Sequence, residues 1–146
     1  MVLVVGIGNR DRGDDGIGSL IAERLIKEGF ENVLDCERTP ENYLAKIIEK
    51  KPEKIIFIDA CDFGGKIGEI KVFQKEEWQN FKKFSLSTHT LPIPLLLSLI
   101  EKLINSEIYL LGIQVKETNF SQSLSKELNN LFEEIVEKIK IILKGG

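Results

Sequence analysis

The sequence predicts an α/β fold: a single-domain, three-layer α/β/α sandwich around a twisted, mostly parallel sheet with one antiparallel strand. Two observations carry this prediction. Short continuous apolar runs at residues 2–5 and 54–58 stop at Gly6 and Asp59, the pattern of strands buried on both faces. Helical patterns alternate with such runs along the chain, as in doubly wound sheets. After the first strand, a helix from about Asp15 puts Ile17, Leu20, Ile21 and Leu25 on one face and ends at Gly29. Residues 33–35 form a short strand, and Thr39-Pro40 supplies an N-cap followed by proline at the first helical position. Residues 69–73 alternate like a half-exposed strand, the candidate for the antiparallel edge. Pro92 and Pro94 begin a helix over 91–104, residues 108–113 are a strand, and 123–143 form a long amphipathic helix. The stripe Leu124, Leu128, Leu131, Ile135 and Ile139 marks the core face of that last helix.

A chain of 146 residues fits one domain, and at that length roughly 68–70% of the unfolded surface is buried on folding, enough for a core without covalent staples. Twenty Lys+Arg against 23 Asp+Glu leave a formal charge of −3. The lysines are scattered among glutamates, so no basic stripe exists to neutralise phosphates, and nucleic acid is excluded as an expected partner. The first apolar run stops at Gly6 without a charged leader or a cleavage site, so neither a signal peptide nor a membrane span is expected. The expected location is cytoplasmic, and the expected state a monomer. Cys36 and Cys61 have no C-x-x-C spacing and read as reduced thiols.

The first strand runs into Gly6-Ile-Gly-Asn9, Arg10-Asp-Arg-Gly13 and Asp14-Asp15-Gly16-Ile-Gly18, a glycine-rich turn that carries carboxylates. A phosphate cradle leaves backbone N–H groups and a helix N-terminus open to an anion. Here Asp11, Asp14 and Asp15 stand where the anion would sit. The dinucleotide fingerprint also fails on spacing, because the glycine it needs after Gly6-x-Gly8 is Asp11, and no Gly-Lys-Ser/Thr follows. A cation is the more natural guest.

Sheets of this kind place ligands beyond the carboxyl ends of their strands. Asp15 after the first strand, Asp59 at the end of the third, and His89 in the loop before a helix are expected at that edge. Two carboxylates and an imidazole suit Zn, Ni, Mn or Fe(II) with open positions left for water or substrate. Each has a plainer role available: Asp15 as an acid complementing the helix dipole, Asp59 as the cap of the turn at Asp62-Phe-Gly-Gly65, His89 as a satisfied loop histidine. Asp14 is expected to cap the helix and Asn9 to shape the turn. Cys61 lacks an electropositive niche and an orienting third group for a thiol mechanism, and Ser85, Ser87 and Thr88 lack a nucleophile elbow.

With these residues in view, the chain resembles the hydrogenase maturation endopeptidases along nearly its whole length, as one domain over 1–146. Gly6-Ile-Gly-Asn9 with Gly13-Asp-Asp-Gly-Ile-Gly18 is similar to the family's opening motif, Thr39-Pro-Glu-Asn42 to its second-helix start, and Asp59-Ala-Cys-Asp-Phe-Gly64 with Gly68-Glu-Ile70 to its third-strand segment. Ser87-Thr-His-Thr-Leu-Pro92 and Leu110-Leu-Gly-Ile-Gln114 resemble the branch serving formate-hydrogenlyase-type, membrane-bound nickel-iron hydrogenases. The resemblance implies removal of a C-terminal extension from a hydrogenase large-subunit precursor. It also implies that Asp15, Asp59 and His89 are the metal-contacting residues, and that the metal is nickel already seated in the substrate, with no organic cofactor. Cys36-Glu-Arg38 and Gln114-Val-Lys-Glu-Thr-Asn119 depart from the family pattern and bear on which hydrogenase is the client.

Two other functions stay open on the residues alone. A nickel carrier would need the same ligands without water activation. A nucleotide-binding oxidoreductase would use Asp35, at the end of the second strand, as its ribose-binding acid.

Overall fold

In a computed structural model that describes residues 1–79, 92–116 and 121–145, five strands form one sheet in the order β2-β1-β3-β5-β4. Strands β1 (Val2–Gly6), β2 (Val33–Asp35), β3 (Lys54–Cys61) and β5 (Glu107–Gln114) are parallel, and β4 (Ile70–Phe73) lies antiparallel to β5 at the edge. The α/β sandwich with one antiparallel edge strand is therefore the observed fold. Helices α1 (Ile17–Lys27), α2 (Leu44–Lys50), α3 (Lys75–Trp78), α4 (Ile93–Ile104) and α5 (Lys126–Lys144) cover the sheet.

Period-two alternation in the strands sorts the core into two layers. Leu3, Val5, Ile55 and Phe57 pack with Ile47 of α2, Trp78 of α3 and Leu96, Leu97 and Ile100 of α4. Val4, Ile56, Ile58 and Ala60 pack with Ile21 and Leu25 of α1 and with Leu128, Ile135 and Ile139 of α5. The expected stripe is thus core at Leu128, Ile135 and Ile139, with Leu131 partly buried at its margin; Leu124, also partly buried, lies just before the helix.

Helix α1 lies unusually close to the sheet because Gly18 has no side chain. A Cβ there would sit 2.2 Å from the Ile7 carbonyl oxygen and 2.3 Å from that of Ile58. Gly6 and Gly18 of the opening motif serve this helix–strand approach, a Cβ at Gly6 falling 2.4 Å from the Ala22 Cβ and from the Gly18 carbonyl oxygen. At its far end α1 stops as expected at Gly29, whose φ of 95° is left-handed and whose neighbour Phe30 N–H reaches back to the Leu25 carbonyl.

Several boundaries differ from the sequence expectation. The first helix does not begin at Asp15: residues Gly13–Gly16 form a 3-10 turn, and α1 starts at Ile17. The last helix starts at Lys126 rather than 123, because Ser125 is its N-cap and accepts the Leu128 N–H. Thr39 precedes a 3-10 turn, Pro40–Tyr43, and makes no side-chain cap bond. Strand β3 continues past Asp59, whose neighbours Ala60 and Cys61 still pair with Ile113 and Gln114. Backbone pairing is indifferent to one polar side chain, so the apolar run ended before the strand did. Helix α3 was not anticipated; its Trp78 is fully buried and its indole N–H donates to the Ile108 carbonyl. No helix among the described residues is long and apolar enough to cross a membrane.

Candidate functional site

The carboxyl ends of β1 and β3 bring Asp15 and Asp59 into one electrostatic environment. Asp15, in the 3-10 turn after β1, is fully buried, and Asp59, within β3 opposite Gly112, is 1% exposed. Burial pushes the Asp59 carboxyl well above the usual carboxylate range, and the charge of Asp15 pushes it further; the Ala60 N–H, donating to Asp59 Oδ1 at 2.8 Å, acts the other way. A carboxylate desolvated beside a second carboxylate is the arrangement that a proton or a cation relieves. The turn-capping role considered for Asp59 is not what the structure shows. Asp62 does that work, its Oδ1 accepting the Gly64 N–H. His89 lies outside the described residues, as do Ser85, Ser87 and Thr88, and among the described residues no three His, Cys, Asp or Glu side chains cluster as a metal site.

Asp14 corrects a further expectation. It caps neither the 3-10 turn, whose N-cap is Arg12, nor α1, whose N-cap is Gly16. Its carboxylate turns to the other side and accepts from Ser125 N–H at 2.7 Å, Ser125 Oγ at 2.9 Å and Lys116 N–H at 2.9 Å. Local sequence cannot distinguish a helix cap from such a long-range tie, since both ask for an acid before a helix. Asn9 shapes the turn as expected, with Oδ1 accepting the Asp11 N–H.

Two residues that sequence reasoning passed over organise the surroundings. The Gln114 side chain, 4% exposed, holds the turn after β3: Oε1 accepts the Phe63 and Gly65 N–H groups, and Nε2 donates to Asp62 Oδ1 and the Val115 carbonyl. The signal was a lone amide ending an apolar strand. Arg10 crosses α1, donating from Nε to Ser19 Oγ and from its terminal nitrogens to Glu23 and Asp35. Asp35 also accepts from Ser19 Oγ at 2.7 Å and from its neighbour Glu37 N–H. The acid that a nucleotide-binding reading requires for a ribose is already engaged in this network. Gly8 offers no phosphate cradle either, since its N–H already donates to the Glu37 carbonyl at 2.8 Å.

Cys61 is 1% exposed, and burial, with Asp59 and Asp62 nearby, pushes its thiol well above the ordinary cysteine range. That is the reverse of what a nucleophilic thiolate needs. Cys36 is likewise pushed up to about 12, chiefly by burial. Both cysteines are free.

Comparison with known proteins bears on the chain as a whole. A putative hydrogenase maturation protease of Methanocaldococcus jannaschii is 31% identical over 96% of this chain and 90% of its own length. The hydrogenase 3 maturation protease of Escherichia coli K12 is 29% identical over 92% of this chain and 85% of its own. The crystal structure of the nickel-iron hydrogenase maturation protease HycI from Thermococcus kodakarensis superposes with a TM-score of 0.80 at 38% identity, covering 98% of this chain and 92% of that one. Residues 17–142 match the hydrogenase maturation protease family as a whole, and the chain belongs to that family.

Proposed function

We propose that this protein is an endopeptidase that removes the C-terminal extension of a nickel-iron hydrogenase large-subunit precursor after nickel insertion. On this reading the nickel arrives as part of the substrate, and Asp15, Asp59 and His89 complete its coordination. The observation that carries it is the buried Asp15–Asp59 pair, in a chain that belongs to the hydrogenase maturation protease family. His89 enters on its sequence motif.

The pair's chemistry suits a transient cation. Burial and the Asp15 charge favour the protonated form of Asp59 while no cation is present. A divalent ion held by the two carboxylates would relieve the charge of the pair and displace the Asp59 proton. Carboxylates without a thiolate or a second imidazole hold nickel loosely, which fits an enzyme that meets its metal in the substrate and lets it go. Nickel beside the scissile peptide supplies Lewis-acid polarisation or an activated water, and the carboxylates orient the ion and accept protons. The enzyme would act in the cytoplasm as a monomer and carry no organic cofactor.

The test incubates the enzyme with nickel-free and nickel-loaded precursor under otherwise identical conditions and follows loss of the extension. Cleavage of the loaded form alone is expected. Equal cleavage of both would refute nickel sensing, and cleavage of neither would favour a non-catalytic nickel carrier.

A further inference from the structure

Asp14 and Asp15 are consecutive and both fully buried, yet Asp14 is hydrogen-bonded to Lys116 and Ser125 while the charge of Asp15 is felt at Asp59. The Asp14 carboxylate grips both ends of the connection between the last strand and the last helix. Lys116, which donates its N–H to Oδ2, lies just past β5, and Ser125, which donates its N–H to Oδ1 and its hydroxyl to Oδ2, is the N-cap of α5. The backbone repeats the tie one step earlier. Gly13 N–H donates to the Ser121 carbonyl at 2.8 Å, Ser121 N–H donates to the Asp11 carbonyl at 3.0 Å, and Arg12 and Ser121 pair as an isolated bridge. Gly13 turns the chain between these ties with a φ of 58°, a left-handed conformation suited to glycine.

We propose that Asp14 is a positioning residue for the site: by holding the Lys116 and Ser125 amides, it fixes the turn from which the next residue, Asp15, meets Asp59. This rests on the reading of Asp15 and Asp59 as the working pair. The geometry favours it over a purely stabilising role because the anchor and the working acid are separated by a single peptide unit. Loss of the anchor therefore displaces Asp15 before it disturbs the core. Asparagine at this position keeps the volume but offers one acceptor oxygen in place of two, so an NH₂ group must face either the Lys116 or the Ser125 N–H.

The experiment measures kcat and KM for processing of nickel-loaded large-subunit precursor by the parent, Asp14→Asn and Asp15→Asn proteins, at equal concentrations of folded enzyme and below every melting temperature. Asp15→Asn should be inactive, and Asp14→Asn should lose at least about tenfold in kcat with KM little changed, because misplacement of a reacting group reaches the chemical step before binding. A merely structural Asp14 would lower the melting temperature and leave kcat per folded molecule at the parent value, and that result would overturn the proposal. If Asp15→Asn worked at the parent rate, the working pair itself would be refuted and the positioning role with it. Should Asp14→Asn fail to fold, Ser125→Pro decides. The φ of −56° at Ser125 suits proline, and the change removes both Ser125 donors while leaving the Asp14 carboxylate in place. A fall in kcat at constant KM supports the role, and a parental kcat overturns it.

Discussion

The two sides of the opening turn treat buried carboxylates in opposite ways. Toward β5 and α5, Asp14 collects three donors, two of them backbone amides that cannot move far. Toward β3, Asp59 receives one backbone N–H among the described residues and faces the charge of Asp15. Burial is equally complete on both sides, so burial alone does not separate an acid that builds the fold from one that works in it. What separates them is compensation. Among the described residues, Asp14 recovers from three donors the hydrogen bonds it would make in water, whereas Asp59 has one such donor and faces a like charge that a proton or cation would relieve.

The largest expected effect exploits that difference. Asp59→Asn should abolish precursor processing, by at least about 100-fold, while leaving the melting temperature at or above the parent value, because the amide removes a repulsive charge and keeps the volume. Activity and thermal unfolding measured on one preparation check this. A parental rate would remove Asp59 from the site, and an unfolded variant would make it an acid on which the fold itself depends.

The same contrast predicts a pH dependence with a definite sign. Asp59 titrates higher in the folded protein than the ordinary 3.8, so the folded state binds its proton more tightly than the unfolded chain does. The stability this gives is complete below about pH 4 and is lost as pH rises through the folded titration. Urea unfolding of parent and Asp59→Asn across that range should therefore show the variant gaining on the parent as pH increases. A stability difference independent of pH would mean that Asp59 does not carry the strain assigned to it.

Most of the architecture was legible because its signals are local. Apolar runs at 2–5 and 54–58, the stripe on α5 and Gly29 each encode an element within a few residues, and each element is there. The site was legible only in part. Asp15 and Asp59 share an edge because parallel strands deliver their carboxyl ends to one side, a rule of topology available from sequence. The role of Asp14 was misassigned, since its donors lie 102 and 111 residues away and nothing nearby announces them. The Arg10–Ser19–Asp35 network was invisible for the same reason, and with it the strongest structural objection to a ribose at Asp35.

A smaller effect tests whether the turn after β3 belongs to the site or to the scaffold. Gln114→Ala removes one acceptor from two backbone N–H groups and a donor from Asp62, and should cost about 1–3 kcal/mol of stability. Hydrogen exchange should speed up at Phe63 and Gly65 with the core amides of β3 unchanged. Global acceleration would show that Gln114 supports the sheet as a whole.

The smallest expected effect concerns the thiol closest to the pair. Cys61 shares its strand with Asp59, and its sulfur packs where a side chain at Gly112 would be, 2.7 Å from that absent Cβ. Burial and two neighbouring carboxylates keep the sulfur protonated, so it has neither the access nor the ionisation that nucleophilic attack needs. Cys61→Ser should process precursor within about twofold of the parent and lose about 1 kcal/mol of stability, the hydroxyl being the more costly group to bury. Iodoacetamide should leave the folded parent active for the same reason. A folded but inactive Cys61→Ser protein, or rapid inactivation of the parent by alkylation, would move the chemistry from the carboxylates to the thiol and dissolve the contrast between the two sides of the turn.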